Sequence, residues 1–186
     1  MKLKTSCFLL ICILLSGCGV SYYSSMVATV VDAETMKPIE GAIIMGNWFS
    51  PGSALSPGKT YKVVEVVTDK DGKAYIERYF NPLVSEFSLA VYKPGYVTWA
   101  NDVIFPSYER RKDFSWGDYT FKLERFKPEY SYIKHSMFFN SAIHSSFIVN
   151  SRIQKAFREY EGEKVRAERD RRDEIREREE AEKRKK

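Results

Sequence analysis

The chain has 186 residues, a formal net charge of +5, 44% hydrophobic residues and 15% aromatic residues. That length admits one compact domain with appendages and excludes a TIM barrel, and the lack of any run of 18 apolar residues excludes a membrane-spanning helical bundle. The charge falls in three blocks, +2 over residues 1–17, zero over 18–150 and +3 over 151–186, so no block is the basic patch that grips nucleic-acid phosphates.

Lys2 and Lys4 precede an apolar run of nine, residues 7–15. As a helix it would span about 14 Å, less than half of the ~30 Å hydrocarbon core. It reads as the apolar region of an export signal. Leu15-Ser16-Gly17-Cys18 then resembles the lipobox of bacterial lipoproteins: an aliphatic residue, two small residues that admit the peptidase, and a thiol that takes the diacylglyceryl group. The resemblance implies a signal peptide over 1–17, acylation of Cys18 and a lipidated tether over 18–25. It makes the lipid bilayer the first expected partner. Gly19 stands where Gram-negative members retained at the inner membrane carry Asp, which implies an outer-membrane location in the bacterial cell envelope. Cys7 and Cys12 would leave with the signal, so the mature chain would hold no free thiol. A Cys nucleophile, a Cys-ligated zinc and a disulfide are then excluded.

Residues 26–126 alternate short β-rich runs with turn chemistry. The runs are 26–31, 42–49, 61–68, 74–80, 87–92, 96–99 and 119–126. About seven strands in roughly 100 residues predict a mainly β, Ig-like sandwich. Phe87, Leu89 and Val91 alternate with Ser88 and Ala90, which predicts one buried face on that strand. Three motifs occur in order: Val30-Val31-Asp32 with Thr35 and Lys37-Pro38-Ile39-Glu40-Gly41-Ala42, then Thr68-Asp69-Lys70-Asp71-Gly72, then Phe87-Ser88-Leu89-Ala90-Val91 with Lys93-Pro94-Gly95-Tyr96. Together they resemble the carboxypeptidase regulatory-like domains, which are transthyretin-like sandwiches. Members mostly serve enzymes, transporters and surface proteins as non-catalytic folding or binding modules. Met36 departs from the family, which has Gly there, and residues 101–116 look like an insertion before the last strand.

Several constellations have two readings. Asp69, Asp71 and Gly72 resemble half of a calcium loop, but Glu77 comes too early to complete it; a hairpin turn is the expectation. His135 and His144 are nine residues apart, on opposite sides of any straight helix, so no metal site is expected. Trp48, Trp99 and Trp116 suit a sandwich core or, in the second reading, a glycan-stacking platform. The stretch with Tyr108, Arg110, Arg111 and Lys112, followed by Trp116, is a solvated loop or a contact surface for anionic headgroups or an acidic partner. No phosphate loop, G-x-S-x-G or H-E-x-x-H is present, and no catalytic residue and no cofactor is nominated.

Residues 127–186 read as helical. Residues 130–149 are apolar and aromatic, with Ile133, Met137, Phe139, Ile143 and Phe147 at helical spacing, which predicts a helix with a break near Asn140, packed against the sandwich or the membrane. Ser151 and Gln154 have the spacing of a capping box. Ile153, Phe157 and Tyr160 form a stripe, and beyond Gly162 the chain is nearly all charge. Acid-first i,i+4 pairs such as Glu168–Arg172 favour a solvated helix there, with a coiled-coil partner helix as the alternative. The combined expectation is an anchored envelope lipoprotein, a non-enzymatic binding or structural module with an envelope protein partner. A periplasmic glycan-binding protein and a hydrolase are the alternatives.

Overall fold

The computed structural model describes residues 24–53, 57–77, 79–144 and 150–184; the lipobox and Cys18 lie outside them. Nine strands and two helices follow one another: β1 (Met26–Asp32), β2 (Ile43–Ser50), β3 (Lys59–Val67), β4 (Lys73–Ile76), β5 (Glu86–Tyr92), β6 (Trp99–Ala100), β7 (Val103–Ile104), β8 (Glu109–Arg110), β9 (Tyr119–Leu123), α1 (Tyr132–Ala142) and α2 (Arg152–Arg184). Seven of the strands make two sheets, β4-β1-β9 and β3-β2-β5-β6. The remaining pair, β7-β8, is a small hairpin inside the 101–116 insertion. The protein is a β-sandwich followed by helix, as its sequence predicts. β1 and β9 run parallel with Val30 opposite Phe121, and every other strand pairing is antiparallel.

The helical region packs against the sandwich as a third layer, one of the two placements expected of residues 130–149. Ile44, Trp48, Leu89 and Val91 face the three-stranded sheet and pack on Met26, Val30, Ile76 and Phe121. Their neighbours in the same strands, Ile43, Met45, Ala90 and Tyr92, face the other way, onto Phe138, Phe139, Ile143, Ile153 and Phe157 of the helical region. The expected single buried face on β5 is therefore corrected: Ser88 through Tyr92 are buried on both sides. Small and β-branched residues in a period-2 strand cannot reveal that a helix covers the second face.

The three sequence motifs form the turns at one pole of the sandwich. Asp32 is buried, and its Oδ1 accepts from the backbone N–H of Thr35 (2.9 Å) and Glu34 (3.1 Å) and from the Thr35 hydroxyl (3.1 Å). Its Oδ2 accepts from the Tyr96 hydroxyl at 3.0 Å and pairs with Arg125 at 2.8 Å. The Thr68 hydroxyl donates to Ile39 O and accepts from Ala42 N–H. Met36 takes the left-handed conformation, φ 56°, that the family's Gly would adopt freely. Gly72 has φ 71°, and a Cβ there would lie 2.5 Å from the Val30 carbonyl oxygen. The Asp69 carboxylate is taken up by its own turn, accepting from Asp71 and Lys73 N–H, which is the hairpin arrangement.

Candidate functional site

At Ser24, the first described residue, the chain meets the sandwich at the pole opposite these motif turns. Trp116 Nε1 donates to Ser24 O at 2.9 Å, and Val27 N–H donates to Asp118 Oδ1. Trp116 is half-buried, edge-on against Trp48 and Phe87. Trp48 and Trp99 are buried, and Trp99 meets Phe114 and Phe121 edge-on. The three tryptophans thus pack as core and plug; Trp99 borders a small pocket of about 80 Å³, but it is 5% exposed and covered by Arg111, so its ring does not lie open as a glycan platform requires.

The six contact residues expected from the sequence divide. Arg111 stacks over the Trp99 ring at 4.4 Å, donates through Nε to Ala100 O at 2.6 Å and pairs with Asp113. It and Trp99 hold the insertion onto the edge strand β6. Trp116 holds the backbone at Ser24. Arg110 and Lys112 are exposed. Tyr108 is half-exposed, with φ 59°, and packs edge-on against Phe138.

A polar constellation that sequence reasoning missed sits between the helical layer and the sheet. His135 of α1 and Glu161 of α2 are both buried, with Nδ1 2.8 Å from Oε2. Tyr92 of β5 donates its hydroxyl to Glu161 Oε1 at 3.2 Å, and burial, then the Glu161 charge, pushes the Tyr92 phenol far up. On the other ring face, Thr98 N–H reaches His135 Nε2 at 2.9 Å, with Thr98 Oγ1 at 3.0 Å. A backbone N–H can only donate, so Nε2 is the acceptor and the ring proton sits on Nδ1, facing the carboxylate. The Thr98–His135–Glu161 order imitates a nucleophile–base–carboxylate triad. Here, though, the single Nε2 lone pair is already held by the amide of Thr98 itself, so it cannot take up the hydroxyl proton as a general base. The network fastens two helices to a strand.

Each helix N-terminus is capped twice, once locally and once by a distant glutamate. Ser131 Oγ accepts from Lys134 N–H, and Glu168 of α2 accepts from the Ser131 hydroxyl (2.6 Å) and Ile133 N–H. Burial opposes the Glu168 charge, but these hydrogen bonds, helped by Arg172, outweigh it and hold the carboxyl below its usual range. At α2, Ser151 and Gln154 exchange the reciprocal bonds of the expected capping box, and Glu65 of β3 accepts from Arg152 and Ile153 N–H. α2 therefore stays docked as far as Arg172, well past Gly162 where the sequence suggested release. Met137, expected on the buried stripe of α1, is exposed, and Phe138 takes its place in the core. The buried positions of α1 are His135, Phe138, Phe139 and Ala142.

Beyond Arg172 the helix runs to Arg184 as a charged arm. At its root lies an open groove of about 500 Å³ lined by Tyr130, Ser131, Tyr132, Lys164, Glu168 and Arg171. Glu161 meets Tyr92 at the motif-turn end of β5, so the arm leaves from the pole opposite Ser24. No helix among the described residues is long and apolar enough to cross a membrane.

No family model and no curated protein matches this chain. Solved structures match parts of this chain at low similarity. The pilus 2b backbone protein of group B streptococcus is 12% identical, with TM-score 0.32, over 55% of this chain and 41% of that one. A streptococcal ancillary pilin is 17% identical, with TM-score 0.32, over 59% and 31%. The 3-chlorocatechol 1,2-dioxygenase of Rhodococcus opacus is 12% identical, with TM-score 0.35, over 59% and 63%. The chain spans less than two thirds of each of these proteins, and pilins and an oxygenase fall in the same range, so the overlaps assign no activity.

Proposed function

We propose that this chain is a bacterial envelope lipoprotein, acylated on Cys18, with a carboxypeptidase regulatory-like sandwich. It works without catalysis, as a binding or structural module that holds its charged helical arm away from the outer membrane for an envelope protein partner. The observation that carries this reading is polarity: the tether joins one pole at Ser24, and α2 leaves from the other. A chain anchored through Cys18 would stand on the first pole and present the second. The engagement of the His135 lone pair by Thr98 N–H supports a non-enzymatic role, because it withdraws the base of the most triad-like cluster described.

The anchoring half is tested on the protein made in its own cells. Mass spectrometry of the wild-type chain should find a mature N-terminus at an acylated Cys18. Cys18→Ser should accumulate as an unlipidated full-length precursor. Normal maturation of Cys18→Ser would remove the anchoring claim.

A further inference from the structure

We propose that the pole at which the tether joins is a lipid-contacting surface, which seats Phe80 and Leu83 in the headgroup region of the same bilayer that holds the Cys18 anchor. This rests on the anchoring reading above. It adds that the folded domain, and not the acyl chains alone, touches lipid.

The first argument is the distribution of charge. Three turns at this pole, residues 79–85, 114–117 and 50–53, contain no charged residue, in a chain that is 30% charged; the exposed Lys59, Glu77, Glu86 and Asp118 stand at the strand ends that flank them. At the opposite pole, four of the ten residues at 32–41 are charged, as are four of the five at 69–73 and four of the six at 124–129. Uncharged turns can enter an interface without dehydrating an ion, whereas the charged turns of the opposite pole cannot.

The second argument is that the apolar side chains are held outward. Phe80 and Leu83 are 62% and 65% exposed. Between them Asn81 fixes a turn: its Oδ1 accepts from Leu83 N–H, its carbonyl accepts from Val84 N–H, and its Nδ2 donates to the Tyr79 hydroxyl. Tyr79 in turn packs edge-on against the buried Trp48. The two side chains are thus displayed on a rigid turn tied to the core, which limits the conformational entropy that insertion would cost. The core side of this pole is also aromatic, with Trp116 beside the tether, a residue suited to the membrane–water boundary.

The third argument is reach. From Cys18 to Ser24 the chain can extend roughly 20 Å at ~3.3–3.6 Å per residue. An anchored Cys18 brings this pole nearest to the lipid surface, because the chain from Cys18 enters the sandwich here.

The test uses the full chain isolated from cell membranes and placed in phosphatidylcholine vesicles whose acyl chains carry bromine. Leu83→Trp and Lys70→Trp each add one emitter at an exposed turn, the second at the far pole, and wild-type emission is subtracted. Intact mass on the same samples reads acylation. The proposal expects the added emission of Leu83→Trp to shift to the blue and fall roughly twofold, since an interfacial side chain lies about 5–10 Å into the headgroup and acyl boundary, with Lys70→Trp unchanged. Acylated, vesicle-bound protein with no quenching at Leu83→Trp overturns the proposal and leaves the anchor standing. Quenching in a chain that carries no acyl group keeps the surface and overturns the anchor. Neither acylation nor quenching overturns both.

Discussion

Asp32 carries more of the fold's wiring than any other carboxylate described. The backbone N–H of Thr35, and then the Tyr96 hydroxyl, the Thr35 hydroxyl and Glu34 N–H, stabilise its charged form against burial and lower its pKa from 3.8 to about 2. A carboxyl depressed in the folded state contributes stability above its unfolded pKa and loses it as the pH falls through the folded value. Thermal melts from pH 6 to pH 2 should therefore show a drop that sets in near pH 4 and deepens toward pH 2. Asp32→Asn should remove that component while lowering stability at neutral pH. The resemblance motif already singled out Asp32 by its spacing from Thr35 and Pro38. Nothing in the sequence singled out Glu161, because it lies in a run of charge and looks like its solvated neighbours. Its spacing of four and eight residues from Phe157 and Ile153 puts it on their face of α2, but only the fold shows that this face is still covered at that level. Glu161→Ala should leave Tyr92 and His135 without their partner and cost about 3–5 kcal/mol, the penalty for breaking a buried pair. Glu161→Leu combined with His135→Phe should recover much of that loss in denaturant titrations. A single Glu161→Ala within 1 kcal/mol of wild type would argue against this network as the fastener.

Among the elements, the strands were legible because turn residues and β-rich runs alternate, and because a period of two needs no tertiary information. A helix against the sandwich or the membrane was legible in residues 130–149, but the sheet face it covers was not. A strand buried on both faces and one buried on a single face can share the same apolar pattern, and β2 and β5 differ from ordinary sandwich strands only in what covers them. The contact residues failed to separate for a related reason: Arg111 and Arg110 are adjacent and chemically alike, yet Trp99 lies under one and solvent over the other. The capping box of α2 could be read locally, whereas Glu65, 87 residues from Arg152, could not. Removing that carboxylate by Glu65→Ala should cost about 0.5–2 kcal/mol, as for the loss of a helix cap, and should raise amide exchange in the first turn of α2. Glu177→Ala on the free arm serves as the control and should change neither.

Over the whole molecule, the net charge of +5 turns out to be a poor guide to function, since it belongs to an expected export signal and to an arm of nearly matched sign. The arrangement in space is more informative. β1 rises about 20 Å from Met26 to Asp32 at ~3.3 Å per residue, and α2 rises about 35 Å from Glu161 to Arg184 at 1.5 Å per residue. A sandwich standing on the tether pole would therefore carry the tip of its arm on the order of 50 Å from the bilayer. The central claim is that anchor and arm face opposite ways, and it is tested most directly by energy transfer to acceptors on the lipid headgroups of vesicles holding the acylated protein. With a donor attached at Asn81→Cys, transfer should be strong. With the donor at Lys183→Cys it should be weak, close to that of a molecule held a Förster distance or more from the surface. Transfer from Lys183→Cys equal to or greater than that from Asn81→Cys would contradict the account.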